Sequence, residues 1–186
     1  VNNGQNLVCG SDKLIRIWDI PQGTESVLGN TFRGKLHSLA YSPEGKYLAL
    51  CGEDPGIRIH DASTRELLYW VGRDEFVRRV AFSPDSQLLA SVGHSLRLWK
   101  TSTGDKVWSR GPEKRHSKNF RQSPASVVFL PGGRRLMTGG YDGLLRLWDT
   151  ATGAHLKKYE LTQPLPPNGR PQILDLMMLS EMKLIA

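Results

Sequence analysis

The sequence predicts an all-β chain built from repeated four-stranded antiparallel sheets, and three observations predict it. A strand-like phrase returns four times, a strand-to-turn phrase precedes it at constant distance, and nineteen glycines with eleven prolines punctuate the 186 residues. Hydrophobic residues at 39% and charged residues at 23% suit a turn-rich globular chain rather than a disordered one.

The recurring phrase reads Leu14-Ile15-Arg16-Ile17-Trp18-Asp19, Ile57-Arg58-Ile59-His60-Asp61, Leu96-Arg97-Leu98-Trp99-Lys100 and Leu144-Leu145-Arg146-Leu147-Trp148-Asp149. Its Trp or His positions are 42, 39 and 49 residues apart. Aliphatic, Arg and aromatic residues alternate with period two, as a strand requires. The preceding phrase appears as Leu39-Ala40-Tyr41-Ser42-Pro43-Glu44-Gly45, Val80-Ala81-Phe82-Ser83-Pro84-Asp85-Ser86 and Val127-Val128-Phe129-Leu130-Pro131-Gly132-Gly133. Each is a strand entering a turn, because Pro fixes φ and the residues after it tolerate turn geometry.

A third strand phrase follows at once: Tyr47-Leu48-Ala49-Leu50, Leu88-Leu89-Ala90-Ser91 and Arg135-Leu136-Met137-Thr138. A fourth strand comes after the aromatic, as in Leu67-Leu68-Tyr69-Trp70 and Lys106-Val107-Trp108. A sheet this small cannot cover both of its apolar faces from within one repeat, whereas stacking sheets around an axis covers them. A β-propeller of about four such blades is therefore expected.

The expected layout over 1–186 is a partial blade at 1–30, blades at 31–72, 73–109 and 124–159, a basic insertion at 110–123, and a partial blade at 169–186. The last segment is placed by the alignment of Gly169-Arg170-Pro171-Gln172-Ile173 with Gly72-Arg73-Asp74-Glu75-Phe76. Two arrangements are open: a section of a larger propeller, or a four-bladed ring closed by a strand near 173–179 that completes the first blade.

These residues resemble the WD-repeat family. Trp18-Asp19 and Trp148-Asp149 match its terminal dipeptide, His60 and Trp99 occupy the same aromatic position, and Asp12, Asp54 and Asp142 stand six residues before it, where the family has its tight-turn aspartate. The resemblance implies a larger, usually seven-bladed propeller that binds other proteins, so missing blades or a fused domain are expected in a full-length chain. There are departures. The family's Gly-His pair is Gly72-Arg73 and Gly169-Arg170, its hydroxyl position holds Ser91 and Thr138 but Leu50 in the second unit, and the third unit has Val92-Gly93-His94-Ser95 with no aspartate. Apolar packing must carry more of the stability of these blades.

The resemblance also implies a partner-binding rim, carried by the residues before the turn aspartate (Ser11, Glu53, Tyr141) and by strand starts Arg73, Asp74, Phe76, Arg78, Arg170 and Gln172. Tyr141 and Phe76 would be its anchors, since aromatics dominate interface energetics. The repeated Arg16, Arg58, Arg97 and Arg146 read as structural, with stems on apolar surface and heads on carboxylates or carbonyls.

The net charge of +7 is local: eight basic residues and one acid lie between Lys106 and Arg135, and the remainder balances at seventeen of each. Arg110, Lys114, Arg115, Lys118 and Arg121 of the 109–123 insertion could meet an acidic partner, and polyanion or nucleic-acid binding there is the alternative function. Nothing resembles a DNA-reading helix or a base-stacking platform. Catalytic constellations are absent from the sequence pattern: the five histidines are dispersed, and no nucleophile elbow, phosphate loop or His-Glu-x-x-His occurs. A non-catalytic scaffold without cofactor or metal is the expectation. Cys9 and Cys51 lie in apolar runs that read as buried strands, so unpaired core thiols and a reducing, cytoplasmic compartment are expected. No apolar stretch approaches a membrane span, and the first residues lack a signal-peptide layout.

Overall fold

The computed structural model describes residues 6–11, 14–30, 34–73, 76–111, 123–160, 173, 175–178 and 184–185. All regular structure among them is antiparallel β. Strands β1 (Asn6–Ser11), β2 (Leu14–Asp19) and β3 (Thr24–Asn30) form a three-stranded sheet. Three four-stranded blades follow: β4 (Leu36–Tyr41) to β7 (Leu67–Val71), with β5 (Tyr47–Gly52) and β6 (Ile57–Asp61) between; β8 (Val77–Phe82), β9 (Leu88–Gly93), β10 (Leu96–Lys100) and β11 (Lys106–Arg110); and β12 (Pro124–Phe129), β13 (Arg135–Gly140), β14 (Leu144–Asp149) and β15 (His155–Glu160). Strands β16 (Met177–Met178) and β17 (Leu184–Ile185) pair with each other. This is the blade architecture of a β-propeller.

The turn phrases explain the first hairpin of each blade. The third residue after Ser42, Ser83 and Leu130 is left-handed and donates its N–H back to that residue's carbonyl: Gly45 at φ 78°, Ser86 at φ 62° and Gly133 at φ 70°. Glycine takes this conformation without a Cβ penalty. Ser86 does not, but its Oγ accepts the Glu44 N–H of the preceding blade at 3.1 Å, a contact that glycine could not make.

The core lies between consecutive sheets, one side of each against the other side of the next. Ile15, Ile17 and Leu28 meet Leu48 and Leu50; Ala49, Cys51, Ile57 and Ile59 meet Val80, Phe82, Leu89 and Trp99; Ala90, Val92, Leu96 and Leu98 meet Val127, Phe129 and Leu136. Met137 and Leu147 pack on Ile173 and Leu176. Outer strands add polar stitches. Tyr69 donates its hydroxyl to the Thr101 carbonyl, and Trp108 Nε1 donates to the Thr150 carbonyl at 2.8 Å, both across a blade boundary.

One of the two open arrangements finds no support, and one expectation needs revision. The four-bladed closure would set a strand near 173–179 beside β1, but β16 pairs with β17, and β1 pairs only with β2 among the described residues. Cys9 is exposed rather than buried. It faces the side of the first sheet that in later blades is covered by the preceding blade. Leu7 (57% exposed) and Trp18 (37%) share that side, whereas the equivalent Trp99 is 6% exposed. Cys51 is buried, and burial raises its thiol pKa to about 12. No helix of the described residues is long and apolar enough to cross a membrane.

Candidate partner-binding rim

Antiparallel alternation brings three kinds of segment to one rim: the starts of the inner strands β4, β8 and β12, the turns after β5, β9 and β13, and the connections leaving β7 and β11. The 109–123 insertion, which connects β11 to β12, therefore leaves and rejoins the chain on this same rim. Each inner strand is irregular at that end. The register shifts between Leu36 and Ser38, between Val77 and Arg79, and between Pro124 and Ser126, so His37, Arg78 and Ala125 are the bulged residues. A bulge bends its strand and re-aims the side chain it carries.

Here the bulges aim side chains at one another. The Arg78 guanidinium lies over two rings, 5.7 Å from the Phe76 centroid and 5.3 Å from that of Tyr141. Phe76 meets His37 edge-on at 5.7 Å and His94 at 5.3 Å and 90°. His37 Nδ1 lies 3.4 Å from the Val77 carbonyl. Leu36, His37, Arg78, Arg79 and Tyr141 line an open recess of about 330 Å³. Arg79 is paired with Asp175 at 3.0 Å. Cation–π contacts of this kind contribute about 0.5–1 kcal/mol where exposed and more when desolvated, enough to hold a long side chain in place.

The turn aspartates serve the strand arginines. Arg58 donates to Asp54 at 2.6 Å and Arg146 to Asp142 at 2.5 Å, and the Asp142 carboxylate also accepts the Leu144 N–H. Arg16 reaches Glu25 at 2.5 Å instead. Arg58 also lies 4.5 Å over the Trp70 ring, with Arg73 5.4 Å over it. Asp54, Pro55, Arg58, Trp70 and Arg73 line a second recess of about 270 Å³. Glu53 is exposed, its N–H bonded to the Lys35 carbonyl at 2.9 Å.

The aromatic position is anchored in two blades and altered in a third. Trp99 Nε1 donates to Ser91 Oγ at 2.8 Å, and Trp148 Nε1 to Thr138 Oγ1 at 3.0 Å. His60 has Leu50 where those hydroxyls stand. Its Nδ1–H donates to the Arg65 carbonyl at 3.0 Å, which leaves the lone pair of Nε2 buried without a hydrogen-bond partner among the described residues. Burial, with the Arg58 charge nearby, lowers the imidazole pKa.

The remaining expected site residues fall apart from this cluster. Ser11 is placed only as the last residue of β1. Asp12, Asp74, Lys114, Arg115, Lys118, Arg121, Arg170 and Gln172 lie outside the described residues. Arg110 closes β11 and donates to the carbonyls of Ser109, Thr152 and Gly153, tying two blades together. Sequence reasoning missed His37, His94 and Trp70. A signal for His37 was present: it precedes Ser42 by the same five residues that separate Arg78 from Ser83. Among the described residues no group of three His, Cys, Asp or Glu could hold a metal ion.

Comparison with known proteins agrees with the blade architecture. The family described as WD domain, G-beta repeat matches residues 1–19, 26–61, 66–100 and 116–149, well over half of the chain. The chain is 23% identical over 150 residues to small ribosomal subunit protein RACK1 of Drosophila melanogaster, covering 79% of this chain and 47% of that protein. It is 25% identical over 168 residues to serine-threonine kinase receptor-associated protein of Mus musculus (90% and 46%) and 26% identical over 166 residues to that of Gallus gallus (89% and 45%). It thus spans less than half the length of these curated relatives. Neither the family nor these names supports the polyanion alternative. Four matched repeats, together with the stacked four-stranded blades, place the chain in the WD domain, G-beta repeat family.

Proposed function

We propose that this chain is a non-catalytic protein-interaction scaffold, part of a larger propeller, that holds partners on the rim around Phe76, Arg78 and Tyr141. The observation that carries this reading is the convergence of Arg78 and Tyr141, from two blades, on an open recess, with the Phe76 ring beside Arg78. Residues of these types dominate interface energetics, and here their rotamers are constrained before any partner arrives. The names of the relatives agree with it: one is a ribosomal subunit protein, the others are receptor-kinase-associated. The open side of the first sheet, with Leu7 and Trp18 exposed at positions that the following blades cover more fully, supports further blades. A cytoplasmic setting belongs to the same reading, and both described thiols are unpaired.

The test is affinity purification from cells with two double variants beside the parent. Phe76→Ala/Tyr141→Ala alters the rim, and Glu44→Ala/Glu66→Ala alters exposed positions on the opposite one. Loss of co-purifying proteins from the first variant alone is expected. Equal retention by both variants would remove the rim from consideration.

A further inference from the structure

We infer that the recess at Arg78 reads a carboxylate side chain, so the partner segment that docks on this rim is acidic. The inference rests on the reading of the rim as a docking surface and names the chemistry it selects. Arg16, Arg58, Arg79 and Arg146 each pair with a carboxylate, and Arg110 donates to three carbonyls. Arg78 instead lies over the Phe76 and Tyr141 rings and makes no ion pair or hydrogen bond among the described residues.

A ring contact engages the face of a guanidinium rather than the edge that carries its five N–H donors, and Arg78 lines the recess. That edge matches a carboxylate in a fork geometry, and the site needs no reorganisation to offer it. The surroundings agree in sign. Arg79 lines the same recess, and Arg110, at the end of β11, stands on the same rim. Such a field favours encounter with negatively charged segments. Asp175, on Arg79, sets the opposing limit, because its carboxylate opposes a dianion more than a single charge. A Glu or Asp of a peptide therefore fits better than a phosphorylated residue.

The test is fluorescence anisotropy of the full chain with three labelled peptides in one Gly-Ser background, carrying central Glu, Gln or phosphoserine. The Glu peptide is expected to bind about tenfold more tightly than the Gln peptide, and Arg78→Ala to abolish that difference. Arg78→Lys keeps the charge but loses the fork, and is expected not to restore the difference. The variant Lys114→Gln/Arg115→Gln/Lys118→Gln is expected to keep it. Discrimination that survives Arg78→Ala but disappears in the insertion variant overturns the inference, as does tighter binding of the phosphoserine peptide. Far-ultraviolet circular dichroism establishes that Arg78→Ala is folded, and Arg78→Lys gives the same answer if it is not. A flat peptide series while Phe76→Ala/Tyr141→Ala still strips co-purifying proteins sinks only the carboxylate reading. Loss of neither sinks the docking surface itself.

Discussion

Trp99 donates its indole N–H to Ser91 Oγ at 2.8 Å, joining the second and third strands of one blade in a buried bond. The blade to the other side of the next boundary repeats it with Trp148 and Thr138. In Ser91→Ala the indole N–H stays buried and loses its acceptor, which costs about 1–3 kcal/mol. Thr138→Ala is expected to cost less, because Trp148 is only half-buried and water can replace the hydroxyl. Urea unfolding of both variants checks the order, and an unchanged midpoint for Ser91→Ala contradicts it.

The second blade allows the same bond to be built anew. Leu50→Ser and His60→Trp each damage a packed site, one by a cavity and the other by crowding. Together they restore volume and supply the hydroxyl acceptor that the neighbouring blades possess. A double-mutant cycle should show favourable coupling of about 0.5–3 kcal/mol, as expected for residues in contact. Simple additivity would mean that the hydroxyl position does not serve the aromatic here.

His60 also sets an expected pH dependence. Burial lowers its pKa below the ordinary 6.5, so the unfolded chain binds the proton more tightly than the folded one. The contribution of His60 is therefore fully present above 6.5 and is lost as the pH falls toward the lowered value. Asp61, Asp85 and Asp149 are lowered too, chiefly by hydroxyl hydrogen bonds from Ser63, Ser83 and Thr152, but they act below the usual carboxylate value of 3.8. Replacing His60 by Phe should flatten the stability profile as the pH falls below the ordinary imidazole value of 6.5, a window that opens above the carboxylate one. An unchanged slope in that window argues against the buried neutral imidazole.

The thiols differ in a way that a single reagent reads. Cys9 is exposed, whereas Cys51 is buried with its pKa raised to about 12. Maleimide should label one site in the native chain, assigned to Cys9 by peptide mapping, and both in denaturant. Rapid native labelling of Cys51 would mean that the interface between the second and third blades opens readily.

The strands were legible because alternation and turn chemistry are local. Ser42-Pro43-Glu44-Gly45 and its two counterparts each close a hairpin with a left-handed fourth residue. The environment of Cys9 was not legible, because its run is apolar whether or not another blade covers it. Arg78 and Tyr141 were accessible through the family resemblance, but their stacking was not. It depends on a bulge at Arg78, and a bulge is a property of pairing between strands rather than of either strand alone. His37 was missed for the same reason: in the sequence it is one of five scattered histidines, and only the equivalent bulge in β4 brings it to Phe76. The repeated arginines could be read as structural from position, yet their partners could not: Arg58 and Arg146 meet the turn aspartate, whereas Arg16 meets Glu25.

The central claim, that partners dock on the rim of the inner-strand bulges, is tested most directly by site-specific photo-crosslinking. A benzoylphenylalanine placed at Tyr141 lies on that rim, and one at Glu66 lies on the opposite one. Cross-linked protein adducts in cells from Tyr141, lost when Arg78→Ala and Phe76→Ala are added, are the expected result. Adducts of equal yield from both positions, or from Glu66 alone, would contradict the account.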